Sequence, residues 1–395
     1  MRYLILTRGL PASGKTTFLN ENGLADYTLS LETLRLEFEG PLLDLDGRLT
    51  TSKDHDENVW DNLKSHLKAR MKLGELILID YNHIKTEDLL QYDYLVQYFR
   101  YKVFCLDFSD VSLEDCKLRN TQRVDYKVVL DKQIDEMHQI MLQEQVPKNI
   151  EIIKPQNLAK LLEYTIPDYS NFKKIHHFGD IQGSLRPLNK YFEQYPIQDD
   201  ELYIFVGDYC DRGVENHLTI DFFLNNYHRP NFLLLEGNHE EHLWDWAYGL
   251  ESRLDEFRYK TKPQLEEANV SAEKVKQFII SLKSLVLYTF DGKKVLVTHG
   301  GMSIIPTKPV MVKNNQFIRG VGSYIDCAVI DEAFYKNTAL NEYQIHGHRN
   351  TEGFPAQVNP RCFNLEGKIE FDGYLRVATL SHEKGFEVVE IHNPR

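Results

Sequence analysis

The sequence predicts an α/β chain built as two domains, and three observations predict it. Residues 3–7 (Tyr-Leu-Ile-Leu-Thr) form a short apolar run. It leads directly into Gly9-Leu10-Pro11-Ala12-Ser13-Gly14-Lys15-Thr16, a match to G-x-x-x-x-G-K-[ST]. From residue 175 onward, an apolar run followed by a polar or glycine-bearing loop recurs at Ile175–Gly183, Leu202–Gly213, Phe232–His239, Val295–Gly301 and Tyr343–His348. Around 150–172 the pattern loosens, and Pro167-Asp168-Tyr169-Ser170 reads as a linker. The boundary is expected near residue 165, giving domains at 1–165 and 166–395.

Each N-terminal element follows from its pattern. Residues 3–7 read as a strand, and Lys15 to Asn20 can open a helix. Leu76–Asp80 and Val103–Asp107 are short apolar runs of buried-strand type. Trp60–Leu73 between them has helical spacing, and the alternation predicts a mainly parallel sheet. Ile150–Ile153 reads as one more strand and Leu158–Tyr164 as a short helix. Residues 248–285 read as a helical insertion in the second domain.

Composition narrows the class. A chain of 395 residues with 42% hydrophobic residues can bury two cores. The net charge of -13 argues against broad non-specific nucleic-acid binding but not against a locally basic groove. Five scattered cysteines (Cys105, Cys116, Cys210, Cys327, Cys362) form no C-x-x-C, so neither structural zinc nor a disulfide framework is expected. A cytoplasmic location is expected instead. No apolar run approaches the ~20 residues needed to span a bilayer, and residues 3–6 are too short for a signal peptide, so no membrane partner is expected.

The first motif has a direct chemical reading. Gly9 and Gly14 let the backbone, with Ser13, wrap a nucleotide phosphate at a helix N-terminus. Lys15 adds positive charge at the β/γ-phosphates, and the Thr16 hydroxyl is placed for Mg²⁺. A kinase also needs an acceptor site. Candidates are Glu32 with Arg35, Asp80 with Asn82, and Arg119 with Arg123, the last two expected on one helix face at i and i+4. A carboxylate to accept a hydroxyl proton, with arginines against the transferring phosphoryl, is the minimum set.

These motifs make residues 1–150 resemble the 5′-kinase domain of phage and bacterial polynucleotide kinases. That family orders a P-loop, D-x-x-R, a strand-ending D-x-N and R-N-x-x-R in a lid helix. The resemblance implies ATP or another NTP with Mg²⁺, held at Gly9, Ser13, Gly14, Lys15, Thr16 and Thr17. It implies Arg119 and Arg123 on the donor phosphates, Arg35 on the acceptor-side phosphate, and Asp80 with Asn82 at the acceptor pocket. Glu32 stands where the family has Asp as general base. Its intrinsic pKa is similar and its reach one methylene longer.

The second domain carries Asp180-Ile181-Gln182, Gly207-Asp208-Tyr209-Cys210-Asp211-Arg212-Gly213, Gly237-Asn238-His239-Glu240, Thr298-His299-Gly300-Gly301 and His346-Gly347-His348. Each motif follows an apolar run, so ligands at strand ends can converge on one point. The series resembles the binuclear metallophosphoesterases: calcineurin-like protein phosphatases, diadenosine tetraphosphatases and the phosphatase domain of bacterial polynucleotide kinase-phosphatase. The resemblance implies a calcineurin-like α/β sandwich with two Mn²⁺ or other divalent ions. It gives Asp180 and Gln182 to one ion, Asp208 to both, and Asn238, His299 and His348 to the second. His239 is then the general acid oriented by Asp211, and Arg212 grips a phosphate oxygen. Gln182 replaces the histidine of D-x-H, and its harder carbonyl oxygen favours Mn²⁺ or Mg²⁺.

Other polar clusters read as structural. His346 is expected beside the ligands rather than among them. Asp54-His55-Asp56-Glu57 reads as a solvated helix start, and His176-His177 as packing residues.

Together the two resemblances imply nucleic-acid end healing: phosphorylation of 5′-OH ends and removal of 3′-phosphates or 2′,3′-cyclic phosphates. RNA ends are expected over DNA ends, with a separate RNA ligase as functional partner because no K-x-D-G signature is present; a homodimer is admitted. Two alternatives stand beside this. One is a diadenosine-tetraphosphatase-like or protein phosphatase fused to a small-molecule kinase. The other is an active kinase joined to a degenerate, nucleic-acid-binding phosphatase-like domain.

Overall fold

The computed structural model describes residues 1–45, 47–52 and 54–394. The chain divides into two units, Met1–Tyr164 with Lys308–Asn314, and Thr165–Thr307 with Asn315–Arg395.

In the first unit the apolar runs become β1 (Tyr3–Arg8), β2 (Thr28–Ser30), β5 (Ile77–Asp80), β6 (Lys102–Asp107) and β7 (Glu151–Ile153), with β3 (Leu42–Leu43) and β4 (Leu49–Thr50) as a separate small pair. The sheet order is β2-β5-β1-β6-β7, and every pairing is parallel. Alternate residues face opposite sides. Leu4, Leu6, Ile77 and Ile79 pack with Val59, Leu63, Leu67 and Met71 of the helix Asp56–Leu73, whose buried residues recur at i+4. Ile5, Leu78, Phe104 and Leu106 pack on the other face with Leu19 and Leu158. Both faces are covered, which explains the unbroken apolar runs. Parallel strands end on one edge, so the loops after β1, β2 and β5 gather there. The short helix expected over 158–164 ends sooner, at Leu161.

The second unit contributes β8 (Lys174–Phe178), β9 (Glu201–Phe205), β10 (Phe232–Leu234), β11 (Leu285–Phe290), β12 (Lys293–Thr298), β13 (Glu342–His346), β14 (Gln357–Asn359), β15 (Cys362–Asn364), β16 (Tyr374–Ser381) and β17 (Gly385–His392). They form two mixed sheets, β10-β9-β8-β16-β17 and β11-β12-β13-β15-β14. Ile175, Ile204, Ala378 and Leu380 of the first share one core with Tyr288, Val295, Val297, Ile345 and Phe363 of the second. Two sheets closed on one apolar layer make a sandwich. β8, β9 and β10 run parallel, as do β12, β13 and β15, so their C-terminal loops converge. The insertion at 248–285 is helical, with a wide π-type turn at Phe257–Thr261 before Lys262–Glu267 and Ala272–Ser281.

Two buried histidines serve the cores. His83 bonds Thr7 O (2.7 Å) and the Tyr92 hydroxyl (3.1 Å). His177 bonds Ala378 O (2.8 Å) and the Tyr288 hydroxyl (2.9 Å), while its neighbour His176 bonds Tyr191 and Glu201. All five cysteines are buried and unpaired. Among the described residues no helix is long and apolar enough to cross a membrane.

Burial lowers His83 to about 4 and His177 to about 3. The unfolded chain therefore takes up protons first as pH falls below ~6.5. The stability these residues contribute is complete above that pH. It is lost toward pH 4, by about 1.4 kcal/mol per pH unit for each histidine. The urea midpoint should fall between pH 7 and pH 4.5, and His177→Gln should flatten the decline.

Candidate active sites

The loop after β1 wraps tightly. Gly14 lies at φ 98°, in the left-handed region that glycine tolerates, immediately before the helix Lys15–Glu21. The Lys15 ammonium is buried and donates to Gly9 O (3.0 Å) and Leu10 O (2.8 Å), with Ser13 Oγ at 3.4 Å. Burial lowers its pKa to about 8, against the pull of Asp80. The Thr16 hydroxyl donates to Asp80 Oδ2 at 2.5 Å, and Thr17 is exposed on the same turn. Thr16 and Asp80 present an oxygen pair of the kind that holds Mg²⁺ beside a nucleotide. Asp80 is thus set at Thr16, whereas the sequence reading had it in the acceptor pocket. Asn82 accepts Gly9 N–H through its carbonyl (2.9 Å), while its side chain turns to Met137.

Glu32 and Arg35 lie on the helix Leu31–Phe38, capped by Ser30. Glu32 is bracketed by Arg123 (3.2 Å) and Lys127 (3.2 Å). Arg35 makes a two-bond pair with Asp56 (2.7 and 2.8 Å). The acidic helix start at 54–57 is therefore a partner of Arg35 and not only a solvated cap. Arg119 lies close to Gly14. Arg119 and Arg123 do not share a helix face, because the helix Leu113–Asn120 ends between them. The buried Asn120 side chain takes both the N–H (3.1 Å) and the C=O (2.6 Å) of Val129, which folds the segment back. Lys127 and Asp56 belong to no motif. Lys127 lies beyond the end of that helix, and no spacing in the sequence points to it.

In the second unit the predicted residues converge on Asp208, which follows β9. Asp208 Oδ1 accepts the His239 backbone N–H (3.1 Å) and lies 3.2 Å from His299 Nε2; Oδ2 accepts Gln182 Nε2 (2.9 Å). Asp208, His299 and His348 present ligand atoms all within 4.8 Å of one another. Asn238 Oδ1 lies 3.2 Å from His299 Nε2. His299 Nδ1 faces Val206 O (3.1 Å), which leaves Nε2 as the ligating nitrogen. Asp180 accepts the His348 N–H through both oxygens (3.2 and 3.1 Å). Gln182, Asp208, Asp211 and His348 all hold positive φ (48°, 54°, 104° and 68°). Such backbone is costly for non-glycine residues and concentrates at functional sites.

The donor set fits a pair of divalent ions. Gln182 is fully buried, and its Oε1 has no hydrogen-bond partner. An orphaned acceptor costs about 1–3 kcal/mol, and a cation is a partner that would satisfy this oxygen. Burial and the carboxylates of Glu366 and Asp208 push the Asp180 pKa well above its ordinary value, as expected of acids gathered for a cation. At Asp208 burial opposes ionisation, yet His299 and His239 hold the carboxyl well below the usual range.

The remaining residues form an acid and an anion grip. His239 Nδ1 meets Asp211 Oδ2 at 2.6 Å, and Thr261 of the π-type turn donates to Asp211 Oδ1 at 2.6 Å. Burial opposes the imidazolium, but Asp208 and Asp211 outweigh it and raise His239 to about 9. Arg212 Nη1 bonds Glu370 Oε1 at 3.0 Å. His346 bonds Asp331 (3.2 Å) and stands beside the ligands. Glu240 accepts the N–H groups of Asp208, Tyr209 and Gly237 (3.0, 2.9 and 2.6 Å), fixing the loop that aims Asp208. Thr261, Glu366 and Glu370 lie outside the motifs and carried no signal of their own. Glu240 was legible only as the end of G-N-H-E.

The comparisons with known proteins follow this division. Residues 173–352 match the family model of calcineurin-like phosphoesterases, and residues 4–143 match that of an AAA domain. The chain is 31% identical over 127 residues to the serine/threonine-protein phosphatase PP1-delta of Caenorhabditis elegans, covering 32% of this chain and 38% of that one. It is 32% identical over 130 residues to the serine/threonine-protein phosphatase with EF-hands 2 of Mus musculus, covering 32% and 16%. The chain thus spans well under half the length of these curated relatives. Among solved structures, a protein serine/threonine phosphatase from Saccharomyces cerevisiae aligns with TM-score 0.39 and 16% identity, over 68% of this chain and 96% of that one. A cold-active protein-tyrosine phosphatase of a Shewanella species aligns with TM-score 0.38 and 14% identity, over 59% and 84%. The chain is mixed α/β, with a P-loop, kinase-like N-terminal domain and a C-terminal metallophosphoesterase domain.

Gly347 tests the packing around Asp180. A Cβ there would sit 1.9 Å from Asp180 Oδ1 and 2.9 Å from the Val206 side chain. Gly347→Ala should stay folded by circular dichroism while its Mn²⁺ affinity falls about 10–100-fold. Equilibrium dialysis checks this.

Proposed function

We propose that this chain, a kinase-like P-loop domain joined to a calcineurin-like phosphoesterase domain, heals nucleic-acid ends. It phosphorylates 5′-hydroxyls with ATP and Mg²⁺ and removes 3′-phosphates with two Mn²⁺. RNA ends are the preferred substrate, and a separate ligase uses the products. The observation that carries the reading is the presence on one chain of a P-loop, kinase-like domain and a metallophosphoesterase domain, which point to opposite phosphate chemistry. Strand breakage commonly leaves a 5′-OH and a 3′-phosphate, whereas joining needs a 5′-phosphate and a 3′-OH. A single substrate class therefore accounts for both.

In the first domain Lys15, Arg119 and Arg123 neutralise the transferring phosphoryl, and Glu32 accepts the proton of the attacking hydroxyl. Arg35, held by Asp56, binds the acceptor-side phosphate. In the second, Asp180, Gln182 and Asp208 would hold one ion, and Asp208, Asn238, His299 and His348 would hold the other. When bound, the ions polarise the phosphate and the attacking water. His239, oriented by Asp211, donates a proton to the leaving oxygen. Arg212 contacts a phosphoryl oxygen through its planar fork. Phosphoprotein hydrolysis at the second site is the second reading, favoured by the protein phosphatases among the similar chains.

The test uses the full chain with Mg²⁺, Mn²⁺, labelled ATP and a short RNA bearing 5′-OH and 3′-phosphate ends, beside a phosphoserine peptide. Label should enter the 5′ end, and Lys15→Ala should slow this about 10²–10³-fold. The 3′-phosphate should be lost, with Asp208→Ala abolishing that loss alone. His239→Ala should keep both ions and lose about 10²–10⁴-fold in rate. An unchanged RNA contradicts the reading, and dephosphorylation of the peptide alone selects the second.

A further inference from the structure

Glu366 sits in the loop after β15 and belongs to none of the motifs. The fold fixes it from several sides. Its N–H donates to Asn364 Oδ1 (3.1 Å), and its carbonyl accepts from Asn350 Nδ2 (3.0 Å) and Arg376 Nη1 (3.0 Å). Its carboxylate oxygen Oε1 accepts the Lys368 N–H at 2.5 Å. The side chain is buried, with 4% of the residue exposed, and its second oxygen, Oε2, has no hydrogen-bond partner. The segment that carries it packs against the one that carries Asp180: a Cβ on Gly179 would sit 2.0 Å from Leu365 O, and Asp180 and Glu366 are the next residues of the two segments.

Two buried carboxylates on adjacent segments repel unless a proton or a cation lies between them. Two more oxygens of this region lack a partner, Glu370 Oε2 beside Arg212 and Gln182 Oε1, the latter on the residue that stands where D-x-H motifs carry imidazole. The nitrogen ligands His299 and His348 gather with Asp208 instead. The Asp180 side therefore offers only oxygens: Asp180, Gln182, Asp208 and Glu366.

We propose that the Glu366 carboxylate is a further ligand of the first metal ion, adding a charged oxygen to a set in which the neutral Gln182 carbonyl stands in for imidazole. The inference rests on the binuclear reading given above. It makes the first site an all-oxygen site that selects Mg²⁺ or Mn²⁺, and the second a mixed nitrogen–oxygen site that also accepts softer ions.

Metal-stripped full-length protein is titrated with Mn²⁺, following bound ions by calorimetry and free Mn²⁺ by electron paramagnetic resonance. Wild type should bind two ions per chain. Glu366→Ala should bind one with wild-type affinity and the other about a hundredfold more weakly or worse. Glu366→Gln keeps an acceptor for the Lys368 N–H and serves if the alanine variant does not fold; it should show the same selective loss. Glu366→His should move the first site's preference from Mg²⁺ toward Zn²⁺. Two ions bound with unchanged affinity by the folded variants, or an unchanged preference in Glu366→His, overturns the inference alone. A wild-type chain that binds fewer than two ions overturns the binuclear reading and this inference with it.

Discussion

The second domain depends on one buried carboxylate. Asp208 has 1% of its surface exposed and a left-handed backbone, and its two oxygens meet Gln182, His299 and the His239 N–H. Such a charge is expensive unless it is surrounded by donors and cations. The surrounding fold supplies them. Glu240 gathers three loop N–H groups to hold the turn, and β8, β9, β10, β12 and β13 all end at this edge. The strained turns at Gln182, Asp211 and His348 follow from the same demand, because side chains from separate strands must point at one centre.

The first domain solves a related problem with fewer buried charges. Its sheet is parallel throughout, so the loops that must meet a nucleotide end on one edge. Lys15 and Asp80 are buried charges at that edge, Lys15 held by loop carbonyls and drawn by Asp80. The groups around Glu32 are partly exposed, with side-chain exposure of 24% for Arg123 and 31% for Lys127. Pairs that keep this much contact with solvent are weakened by it, so a bound ligand can exchange with them. A buried, charge-demanding cluster in the metallophosphoesterase domain and a looser, exchangeable one in the P-loop domain thus share one chain.

Much of both sites could be read from the sequence because their residues sit directly after apolar runs. The P-loop in the first domain and Asp180, Asp208, Asn238, His299 and His348 in the second are local patterns, and each domain gathers its own set by ending strands on one edge of its own sheets. What stayed hidden was recruited through tertiary structure. Glu366 and Glu370 come from the segment after β15, Thr261 from a π-type turn in the helical insertion, and Lys127 and Asp56 from segments without a motif. No spacing rule connects these to their partners. The i, i+4 reading of Arg119 and Arg123 failed for a related reason: Asn120 makes a long-range clasp to Val129 that overrides helical continuation. Gln182 could be seen as a departure, but the consequence needed coordinates, since only burial reveals that Oε1 is left without a donor.

The central claim is that Asp208 joins two ions of unlike surroundings. The most direct measurement is an anomalous difference map at the manganese edge from crystals of the full chain grown with Mn²⁺. The account predicts two peaks that share Asp208, one flanked by Asp180 and Gln182 and the other by Asn238, His299 and His348. A single peak, or two peaks of which neither touches Asp208, would contradict it.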